Sequence, residues 1–235
     1  MTAIVAKPLV YTVAATQGGH AIQRNSTPLK TSAGAALVVP SLALAEAMAD
    51  EMRAQKVRIE FTKMPLTQLA MTSIDLVTKE RDKIAAQTAA YAESELLCHR
   101  ADPEDALAAE QQKTWQPVLD WCAERFDAPL RTAAGILPIA QSPASLEALR
   151  HAVKACDNFR LAGLREAAGV TGSLVLALAL TERHLDAEQV FHAAELDASH
   201  QMKKWGDDPA ALARRENIRR DLDVCQIWFA LLAGS

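Results

Sequence analysis

Aromatic side chains are scarce in this sequence: Phe, Tyr and Trp together make up 5% of 235 residues. Ala and Leu take their place, which favours helices. Phosphate-cradling glycine loops are missing, since neither Gly-x-Gly-x-x-Gly nor a Walker loop occurs. The Gly-x-Ser-x-Gly nucleophile turn is absent as well. Positive charge is not in excess: 25 Lys and Arg face 29 Asp and Glu, for a net charge of −4 and a pI near 5.9. That balance excludes a nucleic-acid binder built on a basic stripe. No apolar run reaches the roughly 20 residues that span a bilayer. The first residues, Met1 to Lys7, lack the basic start and long apolar core of a signal peptide, and they are not an Arg-rich presequence. Cytoplasmic residence is the expectation. Four widely spaced cysteines, Cys98, Cys122, Cys156 and Cys225, suit buried reduced thiols better than disulfides or zinc.

What is present is a large apolar inventory, 50% of the residues, enough for a substantial core. The first forty residues read as short strands. Leu9–Ala14 and Ala21–Arg24 flank a hairpin signal at Gln17-Gly18-Gly19, and Asn25-Ser26 sits where a second tight turn is needed. Leu37-Val38-Val39 is another strand, and Pro40-Ser41 opens a helix from about Leu42 to Gln55. From Met64 onward the pattern is helical. One helix starts at Pro65 and another runs through Ile84 to Tyr91. A long one starts at Pro103 and carries Leu107, Trp115, Val118, Leu119, Cys122 and Phe126; Pro117 should kink or divide it. Further helices are expected at about 145–155, 159–168, 172–183, 187–204 and 209–232. Leu174 to Leu180 is apolar on every side, so that helix should be wholly buried. The fold class is α+β: a small N-terminal β-rich α/β domain over residues 1–60, then a multihelical domain over 61–235. Strands near 96–99 and 130–136 could return to the first sheet.

Chemistry finds little purchase. His184, His192 and His200 recur every eight residues, which leaves helical neighbours about 12 Å apart, too far for one metal ion. Asp197 with His200 and Glu188 with His192 have ligand-like spacing but lack the further carboxylates a bundle site needs. Arg214, Arg215, Arg219 and Arg220 interleave with Glu216, Asp221 and Asp223, as on a solvated helix face. Trp115 falls on the apolar face of its helix, whereas Trp121 lies off its centre. Trp205, flanked by Lys203, Lys204, Asp207 and Asp208, is either an exposed binding anchor or a staple for its helix end.

Three ordered pieces carry a resemblance: Ser173-Leu174-Val175-Leu176, Leu185-Asp186-Ala187-Glu188-Gln189, and Leu196-Asp197 with Gln201 and Trp205-Gly206. With Pro28-Leu29-Lys30-Thr31, Met64-Pro65-Leu66-Thr67-Gln68-Leu69, Leu97-Cys98-His99-Arg100-Ala101 and Trp115-Gln116-Pro117-Val118-Leu119-Asp120-Trp121, the sequence resembles the ATP synthase assembly chaperones of mitochondria and some bacteria. The resemblance implies the same two-part α+β architecture. It also implies a bacterial chaperone that binds the unassembled F1 α subunit, with no catalysis, cofactor, metal, nucleotide, nucleic acid or membrane insertion. Client binding is expected at Asp197, Gln201 and Trp205, with Trp121 as a further partly exposed aromatic; the resemblance places Asp197 and Trp205 within the family's Leu-Asp…Gln…Trp-Gly segment. The sequence departs from the family at Asn25-Ser26, where Asp-Gly is usual, and at Pro209, which follows the acidic pair after Trp205-Gly206. The alternatives are a small metal- or thiol-dependent enzyme using His and Cys, or a subunit that stays in the finished complex.

Overall fold

The computed structural model describes residues 10–55, 59–135, 137, 139–206 and 208–233. The start of the expected first strand at Leu9, Ile136 and Asp207 lie outside them. The chain divides into two compact units, one of residues 1–79 with 230–235 and one of 80–229.

The first unit is built on a tight antiparallel hairpin. Strand β1 (Tyr11–Thr16) pairs along its length with β2 (Gly19–Arg24), and Gln17-Gly18 forms the connection. Asn25 and Ser26 then both take positive φ, 51° and 66°, the mirror-image turn whose twist matches two antiparallel strands. Strand β3 (Thr27–Pro28) follows that turn, and β4 (Val38–Val39) joins β2 further along. Gly19 is required where β4 crosses: a Cβ there would lie 2.3 Å from the Val39 carbonyl oxygen. Helix α1 (Leu42–Arg53) is capped by Ser41 and buries Leu44, Ala45, Met48, Ala49 and Met52, one stripe at helical spacing, against the hairpin. Helix α2 (Pro65–Thr72) starts on a carboxylate: Glu51 accepts from the Leu66 and Thr67 amides at 2.8 and 2.9 Å. A π turn, Ser73–Val77, follows, and Asp75 there accepts from the Thr31 hydroxyl at 2.7 Å. These contacts hold α2 and the π turn to the sheet unit, so the division falls between Lys79 and Glu80, not near residue 60.

The second unit is helical: most of α3 (Thr78–Ala89), α4 (Ala106–Phe126), α5 (Pro143–Ala155), α6 (Asn158–Thr171), α7 (Leu174–Thr181), α8 (Ala187–Ala194), α9 (Leu196–Trp205) and most of α10 (Pro209–Leu232). Helix α7 is its centre. Every residue from Leu174 to Leu180 is at most 2% exposed, and each large aliphatic side chain there contributes about 1.5–3 kcal/mol by burial. Gly172 does not open α7. It ends α6 in the left-handed region, and Ser173 caps α7. Leu96–Cys98 is a 3₁₀ turn and not a strand. Strand β5 (His99–Arg100) pairs in parallel with β6 (Ala133–Ala134), so the two late strands pair with each other and do not join the first sheet. Pro117 does not divide α4. It lies on the exposed face, where water can satisfy the carbonyl bond that proline gives up. No described helix is both long and apolar enough to cross a membrane.

Candidate functional site

The span expected as one helix over 187–204 is two. Asp186 starts α8 with a reciprocal capping box through Gln189, and Glu195 interrupts the helix with φ −103° and ψ 16°. The Glu195 carboxylate is buried and takes ion pairs from Arg214 at 2.7 Å and Arg215 at 3.0 Å. Arg215 also donates to the Ser199 hydroxyl at 2.9 Å, and Arg215 and Arg219 lie over the Phe191 ring. The basic cluster of α10 is therefore not a merely solvated face: three of its four arginines hold α8 and α9, with Arg219 pairing Glu188 at 3.1 Å. This braces the start of α9.

Asp197, Gln201 and Trp205 then follow at four-residue steps along α9, a drift of about 40° per step, so they share one side of the helix. Asp197 is half-buried and fixed. Gln111, itself 1% exposed, donates to Asp197 Oδ1 at 2.8 Å and accepts from the Ala101 amide at 2.8 Å. Gln201 is exposed. Trp205 is 75% exposed, with the Lys204 ammonium 5.3 Å from its ring centre, so it does not staple the helix end. Trp121 is not brought to this group. It stacks on exposed His184, ring centres 4.5 Å apart and 7° from parallel, with Phe126 edge-on at 5.5 Å. Trp115 is core, its indole N–H donating to the Ala193 carbonyl at 2.9 Å.

The histidines hold no metal set, and among the described residues no group of three or more His, Cys, Asp or Glu is placed to do so. His200 instead sits 3.8 Å from Asp105 and 3.9 Å from Glu110. Burial pushes the Cys98 and Cys122 thiols up to about 12 and the Cys156 thiol to about 11. Such thiols are poor nucleophiles at neutral pH.

Sequence reasoning missed two further groups. Glu95 is 1% exposed beneath the start of α7, bonded to the Ser173 hydroxyl and accepting from the Val175 amide at 3.1 Å. Burial pushes its carboxyl up to about 7 against the pull of those donors. Arg100 lines a cavity of about 450 Å³ with Asp197, Gln111 and Leu107. A larger hollow, about 590 Å³, lies between α3 and α6 by Tyr91 and Arg165. The smaller one is the better candidate, because it contains both the predicted Asp197 and buried donors of Arg100 without hydrogen-bond partners among the described residues.

The family model for the ATP12 chaperone protein matches residues 9–123. Atp12 of Paracoccus denitrificans is 32% identical, with a TM-score of 0.91 over 94% of this chain and 95% of that one. A point mutant of the Paracoccus protein matches equally well, at 32% identity and a TM-score of 0.91. A candidate chaperone from Agrobacterium tumefaciens is 34% identical, with a TM-score of 0.88 over 94% of this chain and 84% of that one.

Proposed function

Since the chain belongs to the ATP12 chaperone family, we propose that it serves ATP synthase assembly by binding the unassembled F1 α subunit until the β subunit replaces it. An isolated subunit of an alternating ring exposes apolar surface that its neighbour later covers, and such surface aggregates. Occupying it reversibly prevents aggregation by mass action, with no chemical step. The observation that supports this reading best is the likeness to Atp12 over nearly the whole of both chains. On this reading the α9 surface is the means: Trp205 as an aromatic anchor in a polar surround, Gln201 as an adaptable polar contact, and Asp197 as a fixed charge that orients the partner. Trp121, on its separate aromatic cluster, would make a second contact region.

The reading requires no nucleotide. The test is co-expression with the α subunit and measurement of soluble α in nucleotide-depleted buffer. Soluble α is expected to rise with the chaperone present. No rise, or a strict need for ATP, would sink it.

A further inference from the structure

Arg100 sits on β5, in register with Ala134, and its carbonyl accepts from the Gly135 amide at 3.0 Å. Its guanidinium carbon lies 5.3 Å from the centre of the buried Trp115 ring. Among the described residues its side chain makes one hydrogen bond, from Nη2 to Gln116 Oε1 at 3.3 Å, a long contact to a residue that also donates to Asp120. Nε and Nη1 are buried and have no hydrogen-bond partner among the described residues. A ring face attracts a cation but leaves its N–H groups in search of acceptors. Buried donors on a charged group without acceptors are rare in folded proteins and ask for an explanation.

The neighbouring side chains do not provide one. Gln111 turns its oxygen to the Ala101 amide and its amide group to Asp197, and is not bonded to Arg100. No carboxylate among the described residues pairs with Arg100, and burial lowers the guanidinium below its ordinary pKa. Beside it is a cavity of about 450 Å³, whose wall includes Ala101, Leu107, Ala134 and Asp197. That volume falls within the range of about 300–1,000 Å³ typical of ligand sites.

We propose that the cavity beside Arg100 is a recognition site for a carboxylate carried by a peptide segment, as an acidic side chain or as a chain terminus. The guanidinium gives up its long bond to Gln116 and turns toward the cavity. There its planar fork meets both carboxylate oxygens. Asp197 on the same wall repels a bare anion, so the fitting ligand brings N–H donors or a cation with its carboxylate. A peptide does so and inorganic phosphate does not. That the peptide belongs to a chaperone client rests on the function proposed above; the carboxylate chemistry does not.

The test titrates the full chain, without client, with acetyl-Ala-Lys-Leu-Glu-amide, acetyl-Ala-Lys-Leu-Ala with a free terminus, acetyl-Ala-Lys-Leu-Gln-amide and inorganic phosphate. Affinity is read from the amide resonances of Ala101, Ala134 and Gly135. One or both carboxylate peptides should bind about tenfold more tightly than the neutral peptide, and which of them does so identifies the source. Arg100→Lys keeps the charge but loses the fork, and should remove about that tenfold preference. Equal binding of acidic and neutral peptides overturns the proposal, and Arg100 is then a packing partner of Trp115 only. Phosphate binding as tight as the peptides overturns the peptide assignment. The peptide comparison on the unmutated protein decides the matter even if Arg100→Lys fails to fold. Loss of the carboxylate preference while α-subunit binding persists removes this site alone. A preserved preference without α-subunit binding removes the chaperone reading alone.

Discussion

Trp205 keeps three-quarters of its surface in solvent at the end of a helix whose start is locked by two arginines on the buried Glu195 carboxylate. A rigid, exposed aromatic on a braced helix loses little freedom when a partner covers it. Trp205→Ala should therefore cost about 2 kcal/mol or more in α-subunit binding and leave the melting midpoint nearly unchanged. Asp197→Lys should weaken binding with a component that shrinks as salt rises. Titration of both variants beside thermal melts checks this, and a collapsed midpoint with intact affinity would return Trp205 to the fold. The exposed end residue was legible in the sequence because its neighbours are charged. Glu51, Glu95 and Glu195 were not, because what makes each of them special is a partner from elsewhere: the α2 amides, the α7 cap, and arginines of α10.

Among the elements, those with strong local cues were read correctly and those set by contacts were not. Ser41, Asp186 and the unbroken run of α7 are local signals. The break at Glu195 and the pairing of β5 with β6 are tertiary outcomes with no local pattern. The crossing of α6 and α10 is another. A Cβ on Gly163 would lie 2.7 Å from Trp228 Cδ1 and 2.8 Å from Phe229 Cε1. Both rings are buried, and Trp228 is further tied by its N–H to the Phe159 carbonyl at 3.0 Å. Overpacking costs about 1–3 kcal/mol, against about 1 kcal/mol gained in helix propensity. Gly163→Ala should thus lower stability by up to about 2 kcal/mol in denaturant unfolding. A raised midpoint would mean that α6 and α10 part without strain.

At the scale of the molecule, the two units should respond differently to pH. Glu95 belongs to the helical unit, and its folded pKa of about 7 stands above its ordinary value of 4.5. A raised folded pKa means that the native state holds the proton more tightly. The associated stability is full below pH 4.5 and is lost as pH rises through about 7. The loss amounts to about 3 kcal/mol. Melts of the helical unit should therefore fall between pH 5 and pH 8, and Glu95→Gln should flatten that slope. A wild-type midpoint independent of pH over this range would refute the assignment. The two-part α+β plan itself was readable in advance, since short β-compatible runs precede long helical periods. The return of the chain end to the first unit was not, because no periodicity records which unit the tail of α10 serves.

That return has a consequence for synthesis. Residues from Ala230 onward complete the unit that the first 79 residues begin, and the Ser41 hydroxyl that caps α1 also donates to the Leu231 carbonyl at 2.7 Å. The 150 residues between, Glu80 to Phe229, must leave the ribosome before that bond can form. At translation rates of about 5–20 residues per second the wait is about 8–30 s. The first unit is thus begun before the helical unit and finished after it, and for that interval the nascent sheet and α1 stand without their final helical turn of cover.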